Sequence, residues 1–427
     1  MEELSSAGWR RMGWPVHTGA NMLHLPALIL ATEGNLEAML PLRLFIVFAS
    51  SLLLAECAER LRVPGIVGGM AAGLLIGPSG LGLVQYDGVL HALSEIGVMF
   101  LLFQVGLEVR PSELLKVGRT ALLVALLGVA LPFVMGWGIF ARAGFNTPAS
   151  MFMGAAMVAT SVGITAQVLS VQGLLPHRAS QVILAAAVID DVLGLLVLAA
   201  VSSLGSSGYV DFIGIGVSAL AAIGFVVAVF RFGPTAANRM VPKLTQRMRT
   251  SEGEFAIALV FLLGMSALAI RSGVAAIVGA FLAGMALSET VSKRVHLLSN
   301  GASRLMIPFF LAGIGLQMDL SLFRDLPSLL LALLVLLAAI ISKAIGCGLG
   351  AISLGWGDAL RVGVGMVPRG EVGLVVAQVG LSAGIVSGQG YGIAVFMAVL
   401  TTAIAPLLLR LAFRNVRMVE HAKAEEI

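Results

Sequence analysis

The sequence predicts an all-α membrane protein: thirteen transmembrane helices forming two inverted six-helix repeats, with two broken helices crossing at midplane. Three observations lead there. The 427 residues are 58% apolar and 12% charged, with a mean hydropathy of +0.99. Soluble chains carry about 25% charged residues, so a soluble enzyme or a disordered scaffold is excluded. Lys and Arg are distributed unequally between alternate loops, and the two halves of the chain repeat one another. The apolar runs are continuous rather than alternating, which argues against a spanning β-barrel.

The elements follow in order. Residues 1–40 hold Arg10, Arg11 and a short apolar patch from Met22 to Ala31. No clean cleavage pattern follows, so this stretch reads as an extracytoplasmic leader, partly interfacial helix. The first segment, 41–58, stops before Arg60 and Arg62, and 63–79 closes on Gly77-Pro78-Ser79. Segment 91–109 ends at Arg110, and Lys116 and Arg119 mark the start of 117–141, which Arg142 closes. Next come 148–170 and 178–204, the latter opened by Arg178, then a linker helix at 210–231. A basic stretch with Arg239, Lys243, Arg247 and Arg249 separates it from 252–270. Arg271 divides that from 273–289, and Lys293 and Arg294 precede 303–318. The last three segments are 326–352, 357–382 and 388–413, followed by a short cytoplasmic tail at 414–427.

Thirteen spans place the termini on opposite sides. The loops on the C-terminal side hold 19 Lys and Arg residues and the other side holds 6, while Lys343 and Arg369 fall within spans. Basic residues mark the cytoplasmic face, so the N-terminus is expected outside and the C-terminus inside, in a cell inner membrane. The pI near 9.4 is then an orientation signal, and no nucleic-acid partner is expected.

The repeat has an offset close to 211. Ile66–Gly73 aligns with Ile277–Gly284, Val105–Val109 with Ile314–Met318, Ala166–Val168 with Ala377–Val379, and Ala187–Asp191 with Ala398–Thr402. The offset covers seven helices, an odd number, so the second copy enters from the opposite side. Segments 1–6 and 8–13 thus form an inverted repeat, a recurring plan of secondary transporters whose sites lie at midplane.

Ionisable residues at midplane cost about 2.5–3.5 kcal/mol even on lenient scales, so each one there points to function. Asp190 and Asp191 sit mid-segment, about 100° apart around a helix. One can face a cavity while the other meets a fixed partner. Lys343 is the obvious counter-charge, since apolar residues on both sides make snorkelling to an interface the weaker reading. Pro368 and Gly370 should interrupt segment 357–382 around Arg369 and Glu371. The repeat pairs Glu371 with Thr160, beside Ser161, Gly163 and Thr165, in segment 148–170. Helix packing alone would explain that stretch, but paired interruptions in two halves are a pointer to a binding site. Glu371 and Arg369 would neutralise the dipole ends of the broken helices.

Other features are plainer. Gly69, Gly73 and Gly77 form a small-residue packing stripe that also suits a dimer contact. Cys57 and Cys347 belong to no CxxC pair, and the six His form no ligand pair, so neither a disulfide, a zinc site nor a cofactor is expected. Glu56 and Glu95 lie near segment ends and read as interfacial.

Gly77-Pro78-Ser79, Leu102-Phe103 with Gly106-Leu107-Glu108, and Ala187-Val188-Ile189-Asp190-Asp191-Val192-Leu193-Gly194 resemble the second family of monovalent cation/proton antiporters. The Asp pair with Lys343 and Glu371 is most similar to its NapA-type sodium/proton branch, over about residues 41–413. The resemblance implies an NhaA/NapA-like fold, a homodimer, and a six-helix core that moves as an elevator. It implies that Asp191 carries the cation and the exchanged proton, that Asp190 pairs with Lys343, that Thr160 and neighbours such as Ser161 complete the site, and that Glu371 and Arg369 support the crossover. Kef-type relatives carry a nucleotide-binding domain after the membrane part; only 14 residues follow the last segment here, so no such regulation is expected in cis.

The expected activity is electrogenic sodium or lithium/proton exchange, not enzymatic catalysis. A desolvated carboxylate binds a proton or a cation, not both, which couples the fluxes. Potassium/proton exchange uses the same residues, and a cation channel is a further alternative. Adjacent carboxylates diverge on a helix, which argues against an intramembrane aspartyl protease.

Overall fold

The structure, a computed structural model, describes residues 40–61, 63–207, 212–248, 252–318, 326–369, 371–414 and 416. The leader expected over 1–40 and most of the tail expected over 414–427 lie outside these residues. Among the described residues the architecture is entirely helical. The first half contains α1 (Leu40–Arg60), α2 (Gly65–Ile76), α3 (Gly88–Glu108), α4 (Pro111–Lys116), α5 (Gly118–Arg142), α6 (Thr147–Ala156), α7 (Val162–Val171) and α8 (Arg178–Ser207). Then come α9 (Phe212–Thr245), α10 (Gly253–Arg271), α11 (Ala276–Leu287), α12 (Lys293–Leu316) and α13 (Leu326–Gly350). A 3-10 turn at Ile352–Leu354 leads into α14 (Trp356–Gly365), α15 (Glu371–Ser382) and α16 (Gly388–Phe413).

Each expected segment contains a helix, and 148–170 and 357–382 each contain two. Nine of the described helices are long and apolar enough to cross a membrane. This is a multi-pass membrane protein. Two helices overrun the expected boundaries. The linker expected at 210–231 continues to Thr245, and the segment expected from 303 begins at Lys293. Charged residues mark where the bilayer ends, not where the backbone stops being helical.

Within Phe45–Ile427, one compact unit, α3 packs against α11 and α12, and α2 packs on α12. A second group forms around α5, which packs on α13, α6 and α8, with α14, α15 and α16 completing it. Two of the first group's crossings depend on glycine. A Cβ on Gly73 would stand 1.9 Å from the Ala312 carbonyl oxygen, and one on Gly315 would stand 2.0 Å from that of Met70. A Cβ on Gly106 would stand 2.2 Å from the Phe281 oxygen, and one on Gly284 would stand 2.1 Å from that of Phe103. The α2–α12 crossing and the α3–α11 crossing are therefore backbone against backbone. They are also images of one another, because Gly284 lies 211 residues after Gly73 and Gly315 lies 209 after Gly106. The stripe at Gly69 and Gly73 thus serves packing inside the chain.

Candidate functional site

The site lies where two helices are broken. α6 starts on an Asn146 cap, whose Oδ1 accepts the Ala149 N–H at 2.9 Å, and stops at Ala156. α7 starts at Val162; between them Met157 and Val158 turn off the end of α6 and Ser161 is extended, all of them buried. The second break separates α14 from α15, where Pro368 disfavours helix at the residue before it. The two breaks bind each other. The Ser161 N–H donates to the Pro368 carbonyl at 2.8 Å, and the Thr165 hydroxyl donates to the Gly365 carbonyl at 2.7 Å. Both carbonyls lie at or just beyond the end of α14, where no helical donor follows.

The carbonyls just past the end of α6 meet two buried cations. Arg369 Nη1 donates to Val158 O at 2.7 Å and Ala159 O at 3.2 Å, and Nη2 donates to Ala339 O at 3.3 Å. Lys343 Nζ donates to Val158 O at 2.8 Å, Gly128 O at 2.9 Å and Asp190 Oδ1 at 2.8 Å. Those three contacts use all three ammonium protons. Both side chains have zero exposure, so Lys343 does not snorkel. Cations at a helix C-terminus offset the negative end of its dipole. Arg369 does this for α6; the side chain of Glu371 lies outside the described residues. α16 clamps the backbone of Arg369: Thr401 Oγ1 accepts its N–H at 3.1 Å, and the Thr402 hydroxyl donates to its carbonyl at 2.5 Å.

Asp190 and Asp191 divide as successive helical residues must. Asp190 turns toward Lys343 on α13. Asp191 turns the other way, into a cavity of about 10 Å³ lined by Leu102, Val162, Leu184, Ala187, Val188, Val278 and Phe281. That is room for roughly one water. The cavity lies at the first turn of α7, whose positive dipole end favours an anion. Asp190, Asp191, Lys343 and Arg369 are the only buried charged side chains among the described residues. Two carboxylates against two cations leave the cluster formally neutral. The hydroxyls of Thr160 and Ser161 are buried and make no hydrogen bond among the described residues, and the same holds for Asp190 Oδ2. Buried oxygens at a helix break, without donors of their own, suit a small cation or water. No group of three His, Cys, Asp or Glu side chains suited to a tightly held metal occurs among the described residues.

Several site residues escaped the sequence reading. Thr401 and Thr402 were matched to Asp190 and Asp191 by the repeat, and that alignment was the available signal for their role. Pro132 and Gly128 were not singled out, although Pro132 lies 211 residues before Lys343. Glu56 and Glu95 sit in exposed pairs with Arg60 and His91.

A buried carboxylate pair facing two interrupted, crossing helices defines a membrane transporter of small ions, not an enzyme. Residues 46–414 match the family model described as sodium/hydrogen exchanger, transmembrane, and the chain belongs to that family. It is 33% identical to the high-affinity Na(+)/H(+) antiporter NhaS3 of Synechocystis, over 90% of this chain and 91% of that protein. It is 31% identical to a Na(+)/H(+) antiporter of Enterococcus hirae, over 86% and 96%. It is 33% identical to the Na(+)/H(+)-K(+) antiporter GerN of Bacillus cereus, over 86% and 95%. Among solved structures, the sodium proton antiporter MjNhaP1 of Methanocaldococcus jannaschii superposes with a TM-score of 0.62 at 18% identity, over 88% of this chain and 97% of that one. That likeness concerns the fold.

Proposed function

We propose that this chain exchanges a monovalent cation, sodium or lithium, for protons, and that Asp191 is the group over which the two compete. The observation that carries this reading is the division of labour between neighbours. Asp190 is held by Lys343 at 2.8 Å, while Asp191, 4% exposed, faces a cavity that Val162, the first residue of α7 after the helix break, also lines. A carboxylate in that setting releases its proton when a cation takes its place, so neither ion moves without the other. Thr160 and Ser161 supply neutral oxygens, and Arg369 and Glu371 support the crossover.

If the Asp190–Lys343 pair opens and reforms in each cycle, a second proton moves and the exchange is electrogenic. The 19:6 distribution of basic residues supports thirteen spans with the N-terminus outside and the C-terminus in the cytoplasm of a cell inner membrane. The paired glycine crossings support an inverted repeat. A homodimer and an elevator movement of the group around α5 and α13 complete the reading, on the NapA-type branch.

Reconstituted Asp191→Asn should lose exchange in proteoliposomes; retained sodium- and pH-dependent antiport would overturn the assignment. In Lys343→Ala, unchanged current per transported ion would reject the two-proton version. Potassium/proton exchange is the second reading, favoured by the similarity to the GerN antiporter, whose name includes potassium. Comparing lithium, sodium and potassium in the same vesicles separates the two.

A further inference from the structure

The Gly106-Leu107-Glu108 motif ends α3 on the seam between α3 and α7. The two helices run side by side from the Asp191 cavity, which Leu102 of α3 and Val162 of α7 both line. They are close at its inner end: a Cβ on Gly163 would come within 2.9 Å of Val98 Cγ2. At the other end Ser170 Oγ lies 3.5 Å from Glu108 Oε2, and Gln104 Nε2 donates to Glu108 Oε1 at 3.0 Å.

One turn deeper, the seam carries two amides. Gln104 shares the face of Glu108 at i, i+4, and Gln167 shares the face of Ser170 at i, i+3. Gln167 is 7% exposed, and its Oε1 is buried without a hydrogen bond among the described residues. The same is true of Gln104 Oε1. Buried acceptors without donors are uncommon and call for a partner. Two such oxygens, one turn deeper on α3 and α7 than the Glu108 carboxylate and the Ser170 hydroxyl, give an oxygen-only donor set, the chemistry of a hard cation. One carboxylate supplies one negative charge, which matches a monovalent ion. By helix rise, Gln167 lies about 7 Å and Ser170 about 12 Å along α7 from Val162.

We infer that Glu108, Gln104, Gln167 and Ser170 form a second cation site, which takes a partly hydrated monovalent cation at the mouth of the path to Asp191. The inference rests on the antiport reading for its purpose, but not for its chemistry. The site gathers cations at the face where α3 and α7 end and hands them along the seam. It also explains why a carboxylate in a family motif stands away from the buried cluster.

The test uses the full chain in vesicles of both orientations, from a host lacking its own exchangers. With sodium offered on the Glu108 face, Glu108→Gln should raise the sodium KM roughly tenfold, the worth of one charge-assisted contact. The maximal rate should fall far less, and the KM from the opposite face should stay put. Gln167→Leu should shift KM the same way to a smaller extent, and Glu108→Asp should restore most of it. A KM unchanged from either face, or shifted equally from both, would overturn the site. Wild-type vesicles that exchange nothing would overturn the antiport reading instead. Sodium NMR line broadening then reads the seam without transport. Purified Asp191→Asn protein should broaden the line, and adding Glu108→Gln should remove that excess. No excess in the single variant would count against the site whatever the transport result.

Discussion

Lys343 takes the hydrogen-bonding place that Pro132 leaves open. In an α-helix the carbonyl of Gly128 would accept the N–H of residue 132, but proline has none. Instead Lys343 Nζ donates to that carbonyl at 2.9 Å, from a helix on the other side of the interface. The two residues occupy equivalent positions of the repeat, on α5 and α13. One copy lost a donor where the other gained a charged one, so the buried ammonium is met by an acceptor that its own counterpart exposes.

The two residues should therefore be coupled. Pro132→Ala restores a helical donor to Gly128 and removes a residue about 3 kcal/mol poor in a helix interior. With Lys343 intact the gain should be smaller, because the new backbone N–H and the Lys343 ammonium then share one carbonyl. In a Lys343→Ala background the restored N–H is the only donor left for that oxygen. The double-mutant cycle should show a coupling of about 1–2 kcal/mol. Unfolding temperatures measured in one detergent check it; equal gains in both backgrounds would mean the carbonyl is not shared.

The glycine crossings predict a matched pair of failures. Gly73→Ala and Gly284→Ala each push a methyl group to about 2 Å from a backbone oxygen, which no side-chain rotation relieves. Each should cost about 1–3 kcal/mol, the usual penalty of overpacking. Gly264→Ala, where a Cβ meets nothing within 4 Å, is the control and should be neutral or stabilising. If Gly73→Ala and Gly284→Ala behave like the control, the α2–α12 and α3–α11 crossings are not in backbone contact in the membrane.

Much of this was legible from residue types because the bilayer penalises charge so strongly. Asp190, Asp191, Lys343 and Arg369 stand out in an apolar background, and Pro368 beside Gly370 announces a break. Thr401, Thr402 and Pro132 did not stand out, since hydroxyls and proline are ordinary in membrane helices. Their roles depend on which carbonyl lies opposite, and that is set by the crossing of distant helices. The repeat held a partial key, because it aligns Thr401 and Thr402 with the Asp pair and Pro132 with Lys343. Helix ends were the weak point: α9 and α12 extend past the charges that mark the interface.

His177 predicts a pH effect on stability. It lies in the turn before α8, and its Nδ1 accepts the Ala179 N–H at 3.2 Å, capping that helix. Burial holds its pKa below the ordinary 6.5; Asp358 opposes the shift and Arg361 reinforces it. Asp358 is itself bound by Arg361 at 2.6 Å. Below pH 6.5 the unfolded chain takes up a proton that the folded chain still refuses. Stability from this group is thus present above that pH, declines as pH falls through it, and levels off below the folded pKa. His177→Asn keeps a capping acceptor and removes the titration. Its unfolding temperature should fall less steeply than the wild type's between neutral and mildly acidic pH; parallel curves would dismiss His177 as the source.

Thr160 and Ser161 offer the cleanest separation of function from fold. Most polar groups at the crossover hold it together: Thr165, Thr401 and Thr402 each bind a backbone group at the break between α14 and α15. Replacing any of them removes a structural bond, so lost transport would be ambiguous. The hydroxyls of Thr160 and Ser161 are equally buried yet bind nothing among the described residues. Removing an unsatisfied buried hydroxyl relieves a desolvation cost of about 1–3 kcal/mol instead of breaking a bond. Thr160→Val with Ser161→Ala should therefore unfold at the same temperature as the wild type or a higher one. If these oxygens coordinate the cation, the same double variant should show a sodium KM raised roughly tenfold or more, the loss of one to two ligand contacts. Stability and KM measured on one preparation decide the matter. A drop in stability would give the hydroxyls a structural role, and an unchanged KM would remove them from the cation's path.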